Sequence, residues 1–114
     1  MFAAPPSVNA EVFAVIPDRF RRGSDPSEWA KVQLHGAAAP VFLEGPVFDG
    51  AGNLWVTDIP WGRLFRITPA GEVSVGLEYG GQPNGMKFLA DGSALIADHK
   101  LGMLRFDPAS GAVT

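Results

Sequence analysis

The second half of the chain is a tandem repeat with a period of about 40 residues. When residues 44–73 are placed over residues 84–113, eight of the 30 positions are identical. A one-residue shift in the middle adds three further identical pairs: Arg66/Arg105, Pro69/Pro108 and Ala70/Ala109. A repeat of this length that holds four short strands is the signature of a β-propeller blade. The repeat therefore predicts an all-β fold with two four-stranded antiparallel blades.

Short apolar runs alternate with turns from Val41 onward. Each run has the length of a strand, and each gap has the length of a hairpin loop. No window of 11 or more residues in this part shows a helical apolar period. Hydrophobic residues make up 46% of the 114-residue chain and charged residues 18%, which indicates a globular domain rather than a disordered one.

A propeller blade has two apolar faces, so it needs a neighbour on each side and the ring must close. The sequence divides into an N-terminal arm (1–39), a first blade (40–80) and an incomplete second blade (81–114). The second blade is expected to end before its outermost strand. We therefore expect the chain to be the N-terminal part of a longer protein, the alternative being several chains that assemble into one ring.

The N-terminal arm contains one apolar run, Glu11–Ile16, which reads as a short strand stopped by Pro17. Because it precedes the first repeat, we expect it to close the ring as an outer strand of the last blade. The only basic cluster of the chain also lies in the arm, at Arg19, Arg21 and Arg22, and is interpreted as a solvated loop.

Composition excludes several functional classes. The formal net charge of −3 argues against a nucleic-acid or anionic-membrane partner. The chain has no cysteine, which excludes disulfides, thiol catalysis and cysteine metal sites. No apolar run approaches the roughly 20 residues of a membrane span, and the first residues do not resemble a secretory signal. A cytoplasmic protein is the default expectation.

Glu44 and Asn84 occupy the same place in the two repeats, each just before a glycine and an inner strand. The innermost strand of a blade lines the central channel, so these residues are expected at one mouth of that channel. Carboxylate and amide oxygens that point at a shared axis suit a hard cation such as Ca²⁺. Glu44 is therefore the predicted metal ligand. For Asn84, an ordinary Pro-Asn-Gly turn is the competing interpretation.

Four other residues stand near the same mouth. Asp58 and Asp98 recur in both repeats and are interpreted as structural, with each side chain bonding the backbone of the following turn. His99 is a candidate proton carrier. Trp61 is a candidate wall of a substrate pocket, with ordinary packing as the alternative.

The segment "FLEGPVFDGAGNLWVTDIPWGRLFRITPAGEV" resembles the first blade of the senescence-marker-protein (regucalcin)/gluconolactonase family. The segment "GQPNGMKFLADGSALIADHKLGMLRFDPASG" resembles the blade that follows. The resemblance covers residues 40–114 and implies a six-bladed propeller. It implies a divalent cation, usually Ca²⁺ with Zn²⁺, Mg²⁺ or Mn²⁺ as alternatives, that polarises a lactone or ester carbonyl and helps to activate water.

The resemblance places Glu44 at the glutamate of the family's "EGP" motif, which is a metal ligand. The remaining ligands come from later blades, so Asn84 is assigned only to the pocket lining. The implied substrate is a small lactone or ester. The competing hypotheses are a non-catalytic propeller that serves as a scaffold or ligand-binding module, and an inactive fragment that associates through exposed strand edges.

Overall fold

The computed structural model describes all residues, Met1–Thr114, and consists mainly of two four-stranded antiparallel sheets. Sheet 1 has the strand order β1-β2-β3-β4, with bounds β1 Leu43–Phe48, β2 Leu54–Asp58, β3 Arg63–Ile67 and β4 Val73–Glu78. Sheet 2 has the strand order β5-β6-β7-β8, with bounds β5 Pro83–Phe88, β6 Ala94–Asp98, β7 Gly102–Asp107 and β8 Ala112–Val113. The predicted all-β class and the two antiparallel sheets are confirmed, and neither sheet closes on itself.

The fourth strand of sheet 2 corrects one expectation. The sequence was expected to end before this outermost strand, but Ala112 and Val113 pair with Asp107 and Phe106. Two residues are enough to start the ladder because the turn before them, at Asp107–Gly111, brings the chain back alongside β7.

Strand register shows how the two repeats correspond. Trp55 pairs with Arg66 in sheet 1, and Leu95 pairs with Arg105 in sheet 2. Asp58 pairs with Arg63, whereas Asp98 pairs with Gly102. The loop between the second and third strands is therefore one residue shorter in sheet 2. The predicted one-residue shift is confirmed.

The two sheets pack face to face through an apolar cluster. Trp55 and Leu64 of sheet 1 are buried against Ala94, Ile96 and Phe106 of sheet 2. The Trp55 ring lies 5.8 Å from the Phe106 ring, in an edge-on arrangement. Alternation along the strands directs every second side chain to this face, as the strand period of two requires.

The N-terminal arm covers the opposite face of sheet 1. Ile16 is buried against Val56, Phe65 and Ile67, and Phe20 packs beside them. The predicted strand at Glu11–Ile16 is wrong, because this segment has no regular secondary structure. No backbone hydrogen bond joins it to a neighbouring strand, and a strand needs such a partner. Its role in closing a ring stays a prediction.

The arm also contains one helix that the sequence analysis did not predict, α1 at Glu28–Gln33. Ser27 caps it, since its hydroxyl accepts a hydrogen bond from the Ala30 N–H. Ala30 is fully buried, and Trp29 packs on Phe42 with ring centroids 5.1 Å apart. The helix is anchored to the start of sheet 1 by these contacts.

Asp49, in the turn after β1, collects hydrogen bonds and has an unusual pKa. Its carboxylate accepts hydrogen bonds from the Trp55 indole, from the side chain and backbone of Asn53, and from the Ala51 N–H. Burial alone would raise the pKa of Asp49, but these hydrogen bonds outweigh it and lower the pKa to about 2.

The depressed pKa of Asp49 predicts an acid-sensitive contribution to stability. The carboxyl of an unfolded aspartate has a pKa near 3.9, so the contribution is complete above about pH 4 and is lost as the pH falls toward 2. After allowance for solvent screening, we expect Asp49→Asn to remove about 1 kcal/mol of this pH dependence. Urea unfolding midpoints measured across this pH range test it. Asp25→Asn changes an exposed carboxylate and is the control, so its urea midpoint should vary with pH as in the wild type. A midpoint for Asp49→Asn that varies with pH as much as the wild-type midpoint would contradict the prediction.

Candidate functional site

One end of the two sheets carries all the residues that the sequence analysis selected. We call it the loop end; there β1 and β5 begin, β2 leads into β3, and β4 leads into β5. One row of paired residues marks it in sheet 1: Leu43, Asp58, Arg63 and Glu78. The corresponding row in sheet 2 is Pro83, Asp98 and Gly102. Antiparallel pairing thus places Glu44, Trp61, Asn84 and His99 at the same end.

The first strands of the two sheets, β1 and β5, contact each other at Gly45 and Asn84. Gly45 has φ 54°, and a Cβ atom on it would lie 2.4 Å from the Asn84 carbonyl oxygen, so only glycine fits there. The same oxygen accepts a hydrogen bond of 2.7 Å from the buried Thr57 hydroxyl. Glu44 and Asn84 therefore begin adjacent strands in contact, and both residues are exposed.

Glu44 and Asn84 offer oxygen atoms, which are the type of ligand that a divalent cation such as Ca²⁺ prefers. A carboxylate and a side-chain carbonyl oxygen are ligands that Ca²⁺ and Mg²⁺ prefer. No group of three or more His, Asp or Glu side chains lies close enough together in the chain to hold a metal ion. The metal site at Glu44 therefore stays a prediction.

Asp58 is buried and structural, but its partners differ from the expected ones. Its Oδ1 accepts a hydrogen bond of 2.9 Å from the Phe42 N–H, and its Oδ2 accepts one of 2.8 Å from Arg63 Nε. Arg63 Nη2 lies 2.6 Å from the same Oδ2, within ion-pair distance but outside hydrogen-bond geometry. Arg63 Nη1 donates to the Phe20 carbonyl. The expectation that Asp58 bonds the following turn is wrong, because a buried arginine and the preceding segment take both oxygens.

Asp98 is structural in the predicted way. Its Oδ1 accepts hydrogen bonds of 2.8 Å from the N–H groups of Lys100 and Leu101 in the following turn. Its Oδ2 accepts hydrogen bonds of 2.8 Å from the Tyr79 hydroxyl and the Gln82 N–H. The buried carboxylate of Asp98 therefore joins the turn after β6 to the connection between the two sheets.

The connection between β4 and β5 folds closely around Asp98. A Cβ atom on Gly81 would lie 2.1 Å from Asp98 Oδ2 and 2.3 Å from the Tyr79 ring, so a side chain at this position would collide with both. Burial and the hydrogen bond to Asp98 raise the pKa of Tyr79, so its hydroxyl stays protonated as a donor.

Trp61 lines a pocket of about 250 Å³ at the loop end. The other lining residues are Ser27, Glu28, Pro60, Tyr79, Gly80, Gly81, Gln82 and Lys100. The Trp61 indole N–H donates to the Ala39 carbonyl at 2.9 Å, which fixes the ring against the arm. Arg22 lies 5.7 Å from the ring centroid and forms an ion pair of 2.6 Å with Glu78, so it is not merely a solvated loop residue.

His99 is not brought into this pocket. Its side chain is exposed and makes no hydrogen bond, while its backbone N–H donates to the Gln82 carbonyl at 2.9 Å. Glu44 and Asn84 do not line the pocket either. The structure thus places Glu44 next to Gly45, which contacts the Asn84 backbone, and places Trp61 in a separate pocket.

Sequence reasoning named only Trp61 of the pocket residues, and it missed five other polar ones: Ser27, Glu28, Tyr79, Gln82 and Lys100. The segment "YGGQPNG" holds two of them and lacks the Lys and Ser/Thr pattern of a phosphate loop. Its two consecutive glycines, Gly80 and Gly81, were the available signal, since glycine permits the close approach to Asp98 that forms the pocket wall.

No protein-family model matches the chain, and no curated protein matches it. The helices of the structure are too short or too polar to cross a membrane.

Proposed function

We propose that the two sheets are consecutive blades of a six-bladed β-propeller hydrolase of the gluconolactonase-like type, acting on a sugar lactone or a related ester. The observation that carries the proposal is the contact between Gly45 and Asn84. It supports an arrangement in which the inner strand of each sheet begins beside that of the next, with Glu44 and Asn84 facing a common axis. A divalent cation, Ca²⁺ first among the alternatives, would be held there.

Each residue has a defined role in the proposed enzyme. Glu44 supplies a carboxylate ligand, and Asn84 contributes an amide to the mouth of the proposed channel. When bound, the cation polarises the substrate carbonyl and helps to activate water. Trp61 lines a separate pocket and has no role at the cation. His99, exposed one residue after Asp98, is the candidate that carries a proton at its ring nitrogens.

Calcium titration followed by NMR tests the metal site even where binding is weak. We expect added CaCl₂ to shift the backbone amide signals of Gly45, Asn84 and Gly85. Glu44→Gln keeps the size of the side chain but removes the charge, and it should weaken Ca²⁺ binding by at least about tenfold, a loss seen even for residues one step removed from a metal.

Glu72→Gln is the matched control, because Glu72 is exposed in the β3–β4 turn at the opposite end of sheet 1. It should bind Ca²⁺ like the wild type. Calcium-dependent opening of a sugar lactone, followed with a pH indicator, is the second readout. Ca²⁺ binding that is absent in the wild type, or identical in Glu44→Gln, would refute the proposed site.

A non-catalytic ligand-binding module is the second candidate function. The titratable groups of the Trp61 pocket are already engaged: Lys100 lies 3.5 Å from Glu28, and the Tyr79 hydroxyl bonds Asp98. A pocket whose polar groups are paired with each other favours binding over proton transfer. In this case the lactone would shift the signals of Trp61 and Gln82 without being opened.

A further inference from the structure

The two sheets contact each other through faces that are not equivalent in the repeat. The repeat shows which residues of sheet 2 correspond to the contact face of sheet 1. The face of sheet 1 that packs on sheet 2 carries Trp55, Thr57 and Leu64. By strand register, the same positions of sheet 2 are Leu95, Ala97 and Met103, and they lie on its far, uncovered face. Sheet 2 thus presents to the outside the face that sheet 1 buries.

Inside the chain, this interface is a side chain inserted into a hole. Trp55 enters a hole formed by three residues of sheet 2: Phe88, Ala94 and Phe106. The Trp55 ring lies 5.7 Å from Phe88 and 5.8 Å from Phe106, and Trp55 is only 4% exposed.

The repeat places a second, unfilled hole on sheet 1. The positions equivalent to Phe88, Ala94 and Phe106 are Phe48, Leu54 and Ile67. All three line an apolar pocket of about 270 Å³, and Phe48 is 66% exposed. Leu54 is larger than Ala94, so this hole is shallower than the one that Trp55 fills.

The repeat also places a second, unburied inserting residue on sheet 2. Leu95 is equivalent to Trp55 and is 36% exposed, and Met103 is equivalent to the fully buried Leu64 but is 67% exposed. Leucine is shorter than tryptophan, which matches the shallower hole. One molecule therefore exposes an inserting side chain, Leu95, on sheet 2 and a matching apolar hole, formed by Phe48, Leu54 and Ile67, on sheet 1.

We propose that a second copy of this chain docks on the far face of sheet 2, with Leu95 of one copy entering the Phe48–Leu54–Ile67 hole of the next. The contact repeats the existing interface between the two sheets. It joins unlike surfaces, so successive copies form a ring if the rotation closes and a filament if it does not. With two sheets in each copy and about 4 to 8 sheets in a propeller, a closed ring holds two to four copies.

The N-terminal arm has to leave this face when a second copy docks. Phe13 lines the hole, and Ala14 and Ile16 pack on the same side of sheet 1. Residues 11–16 make no backbone hydrogen bond to a strand, so only side-chain contacts are exchanged. The neighbouring sheet would replace them with contacts of Leu95, Ala97 and Met103.

Docking of a second copy would extend the row of inner strands. Within the chain, Gly45 lies against the Asn84 backbone, and the proposed contact would bring β5 of one copy beside β1 of the next. Glu44 residues from several copies then approach one axis and complete the donor set. This consequence rests on the proposed function, whereas the association itself does not.

The test measures the mass of the full chain in solution and the geometry of its contact. Sedimentation equilibrium from micromolar to millimolar concentration should show association to two to four times the 12.1 kDa of one chain, or to larger filaments. Leu95→Lys puts a charge on the inserting side chain and should weaken association by at least about tenfold. Val32→Lys is the matched control, because Val32 is 72% exposed on α1, away from both faces, and should associate like the wild type.

Cysteine variants distinguish the direction of docking, since the natural chain has no cysteine. A mixture of Leu95→Cys chains and Phe48→Cys chains should form a mixed disulfide, while each variant alone should not. Both positions are exposed, so folding is preserved and circular dichroism verifies it. A monomer at all concentrations, unchanged association in Leu95→Lys, or equal cross-linking of Leu95→Cys with itself would each overturn the proposal. None of these readouts depends on calcium or lactone hydrolysis.

Discussion

Replacing Asp58 with asparagine is expected to lower the free energy of unfolding by about 3–5 kcal/mol, the loss typical of breaking a buried ion pair. Asp58 is 0% exposed and Arg63 is 2% exposed, so the guanidinium would stay buried without a counter-charge. Burial raises the pKa of Asp58, while the Phe42 N–H and Arg63 act against this shift. Because the free energy of unfolding of a native protein is only about 5–15 kcal/mol, the variant should lie close to its unfolding transition.

An ion pair of the same residue types on the surface provides the control for Asp58. Asp91 and Arg105 also form an ion pair, but both side chains are more than half exposed, so Asp91→Asn should lose far less stability. The double variant Asp58→Asn with Arg63→Met should recover part of the loss, because it removes the uncompensated charge. Urea unfolding at neutral pH measures all three variants. A loss for Asp58→Asn no larger than that for Asp91→Asn would show that the buried pair does not hold the arm to sheet 1.

Replacing Trp55 with alanine is expected to cost about 3–5 kcal/mol, as for other large side chains removed from a core. Trp55 fills the hole between Phe88 and Phe106, and its indole N–H donates to Asp49 at 2.9 Å. Its removal leaves a cavity in the interface between the sheets. We therefore expect a lower urea midpoint and faster amide hydrogen exchange in sheet 2, whose short β8 gives it the weaker ladder.

Trp61→Ala is the matched control, because Trp61 lines the loop-end pocket and is only partly buried. Its loss should be clearly smaller than that of Trp55→Ala. Equal losses for the two variants would mean that the contact between the sheets does not dominate the stability of the chain. Trp55→Phe, which keeps a ring in the hole, should fall between Trp55→Ala and the wild type.

The repeat predicted the two antiparallel sheets because a strand period and turn residues are local properties of the sequence. It also predicted the structural role of Asp98, whose hydrogen bonds to Lys100 and Leu101 span only a few residues. Asp58 stands at the same place in its repeat, but its partners were not predicted. Arg63 has no counterpart in the second repeat, where Gly102 stands, and the Phe20 carbonyl comes from 43 residues away.

The sequence by itself determined the strands of the two repeats other than β8, and the shared end at which Glu44 and Asn84 lie. Only the tertiary structure decided how the arm is placed, how Asp58 is neutralised and which residues surround Trp61. These features depend on side chains from distant segments that meet after the sheets have formed, and no local period encodes such meetings. The segment Glu11–Ile16 illustrates the reason: its apolar residues fit a strand, but no backbone partner lies beside it, so it packs through side chains alone.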